Sequence, residues 1–245
     1  MKLIVGLFYF VYKLYVMVLF VVTAVILFPF LTLSTAIKPL HKVAFYLFGF
    51  WSIFFRICVL WPPKVRYHEK IKRGAYIIVA NHASYGDIFL TPSVLIRFPH
   101  VFLGKSEILS YPIIKYYFKN YNIPVFRGDK SKTAKTMALA KEKLAHGWSI
   151  VIFPEGGIPD HERPQMLPFK DGAFRLAKET NTPILPVTYV NHCQLFSDPL
   201  HWLQSCRPGF AKQVFHPVIT VEEVQQKTVE ELKEKCFQLI ASGLK

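Results

Sequence analysis

From Leu14 to Ile37 the chain runs 24 residues without a charged side chain. As a helix this stretch extends about 36 Å, enough to cross the apolar layer of a bilayer with some tilt. A second apolar run, Val43 to Trp61, holds Arg56 near its end, where a long side chain is expected to snorkel to the headgroups. Tyr9, Tyr12, Tyr15, Tyr46, Trp51 and Trp61 stand where interfacial anchors belong. Bases occupy the tip between the runs (Lys38, Lys42) and crowd just past the second (Lys64, Arg66, Lys70, Lys72, Arg73). The positive-inside rule therefore does not separate a two-span hairpin from a helical pair embedded in one leaflet. Trp61-Pro62-Pro63 closes the region, which divides the chain into membrane-anchoring helices over 1–63 and a folded domain over 64–245, expected on the cytoplasmic side. The anchor is expected to be removable without unfolding that domain.

With 52% hydrophobic and 19% charged residues, the chain is not a disordered tail. Its formal net charge of +14 calls for an anionic partner, such as membrane lipid, nucleic acid, an acidic carrier protein or a phosphorylated small molecule. No helix-turn-helix, zinc pattern or RNP-like strand supports nucleic acid. Cys58, Cys193, Cys206 and Cys236 form no C-x-x-C pair, which argues against a zinc cluster or a disulfide framework.

After Lys64, short apolar runs alternate with helical patterns, the signature of an α/β sheet flanked by helices. The strands read as 76–80, 101–103, 123–126, 149–153 and 184–187. Lys132 to His146 reads as a helix stopped by Gly147, and the last helix starts at Thr228 with a capping box to Glu231.

Chemistry concentrates where strands run out into loops. Asn81-His82-Ala83-Ser84-Tyr85-Gly86-Asp87 follows the first of them. A histidine there can take a proton from an attacking hydroxyl, while a carboxylate on its other ring nitrogen fixes the tautomer. The plainer reading of Asp87 is a cap on the helix beginning at Ile88. Phe153-Pro154-Glu155-Gly156-Gly157 ends another strand, and Lys105 and Arg127 each follow one, so cations repeat at one sheet edge as in a phosphate pocket. A second pair, Asn191-His192, has its aspartate one place further along at Asp198 and no serine at the corresponding place; it is assigned no chemistry.

Taken in order, Asn81-His82-x-Ser84-x-x-Asp87, Pro124-Val125-Phe126-Arg127, Phe153-Pro154-Glu155-Gly156 and Pro183-Ile184-Leu185-Pro186-Val187 closely resemble the four motif blocks of the glycerolipid acyltransferases, and are most similar to those of the bacterial 1-acylglycerol-3-phosphate acyltransferases. The resemblance covers about Tyr76 to Val190. It implies an α/β acyltransferase domain with a mixed sheet, a membrane setting in phospholipid biosynthesis and a lysophosphatidic acid acceptor. The donor would be acyl-CoA or acyl carrier protein, with no metal or other cofactor. It places catalysis on His82 and Asp87. Substrate binding would fall on Asn81, Ser84, Lys105, Arg127, Glu155, Gly156 and Gly157, with amides near Gly156 as oxyanion donors. One departure stands out: where the family's third block continues Glu-Gly-Thr-Arg, this chain has Gly157 and Ile158, so a phosphate-binding arginine is missing. Lys105 or Arg163 could substitute, or the acceptor could be a phosphate-free lysolipid such as a lyso-aminolipid. A non-catalytic lipid-binding scaffold is the remaining alternative.

Overall fold

The computed structural model describes residues 2–105, 116, 118, 120–125, 130–159 and 166–245. Helix α1 (Lys2–Ala36) leads through a 3-10 turn at Lys38–Leu40 into α2 (His41–Cys58). Polar groups inside α1 are satisfied locally or against protein. Thr23 Oγ1 and Thr35 Oγ1 donate back to Leu19 O and Leu31 O, at 2.8 and 2.7 Å. Lys13 is wholly buried, and its ammonium donates to Ser197 Oγ (3.0 Å), Asp198 O (2.9 Å) and His201 O (2.7 Å). The two helices run antiparallel: Tyr15 Oη donates to Cys58 O, Phe20 stacks on Trp51, and Trp51 Nε1 donates to Thr23 Oγ1.

Two expectations for this region are corrected. Arg56 does not snorkel to headgroups; it is 2% exposed, and its guanidinium donates to Trp61 O at 3.2 Å and Leu90 O at 3.4 Å. Trp51 and Trp61 are not interfacial anchors, because both are buried against protein, with Trp61 Nε1 donating to Arg207 O at 2.8 Å. The helices are also not simply appended. Ala44 and Phe45 of α2 belong to the same apolar core as Ile77, Ile150 and Trp148.

The remaining strands are β1 (Pro63–Tyr67), β2 (Ile77–Ala80), β3 (His100–Lys105), β4 (Ile123–Val125), β5 (Ser149–Ile152), β6 (Ile184–Tyr189) and β7 (Ala211–Phe215). They form one sheet in the order β1-β7-β6-β2-β5-β3-β4, with β6 and β7 antiparallel and every other neighbouring pair parallel. The expected α/β mixed sheet is thus observed, with β1 and β7 as strands not anticipated from the sequence. Helices α3 (Asp87–Val94), α4 (Lys130–Ala145), α5 (Gly172–Thr180), α6 (His192–Leu195), α7 (Val221–Gln226) and α8 (Val229–Ser242) complete the described elements. The stop after α4 is Gly147 at φ +79, a left-handed geometry suited to glycine, and α8 carries the full capping box from Thr228 to Glu231.

The parallel strands β2, β3, β5 and β6 end at a common edge. Since β2 lies between β5 and β6, the loop leaving it at Asn81 emerges flanked by the ends of both neighbours.

Candidate functional site

That flanking fixes the loop from two sides. Asn81 is 1% exposed and replaces a strand residue: its Nδ2 donates to Tyr189 O (3.0 Å) and its Oδ1 accepts from Tyr189 N (2.8 Å). On the other side Glu155, 3% exposed, accepts from His82 N (2.8 Å) and Leu167 N (2.7 Å), one amide on each carboxylate oxygen. Ser84 is 2% exposed; its hydroxyl donates to Phe196 O (2.6 Å) and accepts from Gly86 N (3.1 Å). The side chains of Asn81, Ser84 and Glu155, expected to bind substrate, are thus occupied in shaping the loop. Burial raises the Glu155 carboxyl to about 7 even though both amide hydrogen bonds favour its charged form.

Asp87 is the hub. It is fully buried and begins α3, yet its carboxylate turns back on the preceding loop instead of capping the helix. Oδ2 accepts from His82 Nδ1 (3.0 Å), Ala83 N (2.7 Å) and Ser84 N (2.8 Å). Burial pushes this carboxyl up, but hydrogen bonds from His192 and His82 outweigh it and hold the group below the usual carboxylate value. With Nδ1–H committed to Asp87, His82 presents Nε2 as its acceptor nitrogen, and among the described residues no hydrogen bond engages it. The His82 side chain is 13% exposed and its ring lies on Phe153, with centroids 4.2 Å apart. The expected His82–Asp87 pair is therefore assembled, with one face open.

Sequence reasoning missed the other side of Asp87. His192, assigned no chemistry above, is 1% exposed and its Nδ1 meets Asp87 Oδ1 at 2.7 Å. That assignment is corrected: the pair at Asn191-His192 follows β6, whose end adjoins β2, so His192 reaches the same carboxylate from the neighbouring strand. Its position just past an apolar strand was the available signal. Gly156 lies in the loop after the neighbouring strand β5. It adopts φ +70, and its own N–H donates to Phe153 O at 3.1 Å, so that one amide is engaged in closing a turn.

Ala83, Ser84, Tyr85, Ile158, Asp198 and His201 help line a cavity of about 180 Å³ beside the His82 loop. Ile158, the position where the motif usually has arginine, thus faces the space beside Ala83, Ser84 and Tyr85 of the His82 loop. Lys105 ends β3 with its side chain outside the described set, and Arg127 and Arg163 lie outside the described residues.

A family model described as Acyltransferase matches residues 63–190. The 1-acyl-sn-glycerol-3-phosphate acyltransferase of Salmonella typhimurium is 26% identical over 238 residues, covering 94% of this chain and 91% of that protein. An enzyme of the same description from Chlamydomonas reinhardtii is 27% identical over 169 residues, 69% of this chain, but the match spans only about half of that relative, 48%. The lyso-ornithine lipid O-acyltransferase of Rhodobacter capsulatus is 26% identical over 210 residues, covering 77% of this chain and 73% of its own. In fold, the crystal structure of the 1-acyl-sn-glycerophosphate acyltransferase PlsC from Thermotoga maritima superposes with a TM-score of 0.72 at 21% identity, covering 100% of this chain and 96% of that one.

Proposed function

The chain belongs to the acyltransferase family, and from that premise we propose that it transfers a fatty acyl group from acyl-CoA or acyl carrier protein to the sn-2 hydroxyl of 1-acyl-sn-glycerol 3-phosphate, forming phosphatidic acid. The observation that carries the reading is His82, held through Nδ1 by buried Asp87 with Nε2 left without a hydrogen bond among the described residues and the side chain 13% exposed. Nε2 takes the acceptor's hydroxyl proton as the oxygen attacks the thioester carbonyl carbon. The tetrahedral intermediate collapses, the carbon–sulfur bond breaks, and the proton on His82 passes to the departing thiolate. Asp87 holds the tautomer and stabilises the imidazolium formed in between. Near-full-length similarity to the Salmonella enzyme supports this acceptor. Residues 1–63 serve as the membrane-anchoring part and 64–245 as the catalytic part, facing the cytoplasm. An enzyme at the membrane avoids drawing its lipid into water, which for a C16 chain costs about 12 kcal/mol.

His82→Ala and Asp87→Asn in the full chain test the mechanism. His82→Ala is expected to lower turnover by roughly 10²–10⁴ while the protein stays folded. Folded His82→Ala protein with near-normal turnover would remove His82 as the base.

A second acceptor is favoured by one feature. Ile158 supplies no charge to the cavity while Asp198 supplies a carboxylate, and the Rhodobacter relative is named for a lyso-ornithine lipid. A phosphate-free lyso-aminolipid fits that lining. Assaying the wild type with both lysolipids and both donors decides: preference for lyso-aminolipid over 1-acylglycerol 3-phosphate selects the second acceptor.

A further inference from the structure

Asp87 serves two imidazoles. Oδ2 orients His82, and Oδ1 takes the Nδ1 hydrogen of His192, which is as deeply buried as the carboxylate itself. The His192 ring is fixed on both faces of the question of where it sits and how it turns. It stacks on Tyr189, with centroids 4.7 Å apart and planes 16° from parallel, and Tyr189 is in turn tied to Asn81 and to Thr91. Its Nε2 lies 2.8 Å from the Gln213 amide of β7. With the amide oxygen turned to that nitrogen, the same oxygen also accepts from Arg56 Nη2 at 3.2 Å and the amide nitrogen donates to Ala211 O at 3.2 Å. In either orientation of the amide, Nδ1 is the nitrogen that carries hydrogen to Asp87, because a carboxylate can only accept. With the amide oxygen turned to His192, the line His82–Asp87–His192–Gln213–Arg56 runs without a gap to α2; in the other orientation it ends at Gln213.

Resting on the reading of His82 as the base, we propose that His192 is a positioning residue for acyl transfer: by donating to Asp87 Oδ1 it locks the plane of the carboxylate that orients His82 and sets how tightly His82 holds the acceptor's proton. Three donors already fix the position of Oδ2; the His192 bond at Oδ1 adds a second point of attachment, which sets the plane of the carboxylate and draws on part of its charge. The charge balance follows the same geometry. Besides His82, the titratable or charged groups that face this carboxylate and its partner are Arg56 from α2, Glu155 beyond β5 and Tyr189 of β6. Taking away the His192 donor leaves more of the Asp87 charge directed at His82. The pair then binds its proton more tightly, and the acidic limb of the rate profile moves to higher pH.

The test compares His192→Leu with His192→Asn in the full detergent-solubilised chain; asparagine keeps an N–H donor close to the place of Nδ1, and leucine does not. The readouts are kcat and KM against pH, using the lysolipid and thioester that wild type turns over best, and the pH dependence of His82 modification by diethyl pyrocarbonate, which needs no substrate. His192→Leu is expected to lower kcat by about 10- to 100-fold, the range for losing a hydrogen bond to a buried charge, with acceptor KM little changed. Its acidic limb and the midpoint of His82 modification should both rise, and His192→Asn should return most of the rate and both midpoints. Should His192→Leu fail to fold, His192→Met, which also lacks a donor, against His192→Asn carries the same comparison. Leucine and asparagine variants with wild-type pH limbs, or with equal loss of rate in proportion to loss of folded protein, would overturn the proposal and leave His192 a packing residue. A silent His82→Ala variant would instead overturn the reading beneath it, so the two failures are distinguishable.

Discussion

Phe30 in α1 is 61% exposed and Phe55 in α2 is 2% exposed, although both belong to helices long and apolar enough to be candidate membrane spans. The best 18-residue window of α1 has mean hydropathy 2.8 and that of α2 1.2. The difference lies in where the polar residues of α2 point. His41, Ser52 and Arg56 are on its buried face with Phe45, Gly49 and Phe55, while Val43, Phe50, Phe54 and Ile57 are exposed. This reverses the arrangement of a water-facing surface helix and matches a helix with lipid outside and protein inside. A hydropathy window reports how apolar a segment is; the periodicity of its few polar residues reports what covers it.

The widest separation between the two helices should come from deletion. Removing residues 1–61 strips Phe45, Trp51, Phe55 and Trp61 from their buried positions, and the remainder is expected to lose cooperative unfolding. Removing only 1–36 should leave a folded protein in detergent that partitions weakly onto vesicles. Thermal melts and vesicle flotation check both; a cooperative melt for the longer deletion would restore the view of a detachable anchor.

Single aromatic truncations sharpen the same contrast. Phe55→Ala is expected to destabilise by about 3–5 kcal/mol, as for a buried phenylalanine, and Phe30→Ala by less than about 0.5 kcal/mol in detergent. Denaturant unfolding of the two variants measures it. Equal effects would mean that the two helices are covered alike.

The smallest expected difference concerns two glycines. A Cβ on Gly49 would stand 2.6 Å from Ile96 Cδ1, while one on Gly6 would meet Leu203 at an ordinary 3.7 Å. Gly49→Ala should therefore cost about 1 kcal/mol or more, relieved when Ile96→Val is added, and Gly6→Ala should be neutral or stabilise by up to about 1 kcal/mol through helix propensity. Comparison of the double variant with the single ones separates the clash from backbone effects.

The central strands were readable because a parallel strand covered on both faces is apolar throughout, and the stretches 77–80, 149–152 and 184–189 are buried at every position. Strands β1 and β7 escaped notice because each mixes polar side chains into a short run: Lys64 and Arg66 in one, Lys212 and Gln213 in the other. They pair with each other at the side of the sheet that carries the N-terminal edge strand. His82 and Asp87 were legible because five residues of loop bring them together. His192 is 105 positions from Asp87, and only the adjacency of β2 and β6 makes them neighbours. Arg56 was misplaced for a related reason: charge within an apolar run suggests water, but its acceptors come from Trp61, Leu90 and, in one amide orientation, Gln213.

Lys13 gives α1 a fixed register. Its ammonium is held by three oxygens of the segment Ser197–His201, and sliding the helix by one turn, about 5.4 Å, would leave that cation buried without them. The same segment carries Asp198 and His201, which help line the cavity beside Ala83, Ser84 and Tyr85. Helix and cavity are consequently at a constant offset, so α1 cannot act as a piston when bilayer thickness changes. In a bilayer crossed by α1, a mismatch between its apolar length and the lipid would then be absorbed by tilt of the whole molecule or by thinning and thickening of the lipid around it.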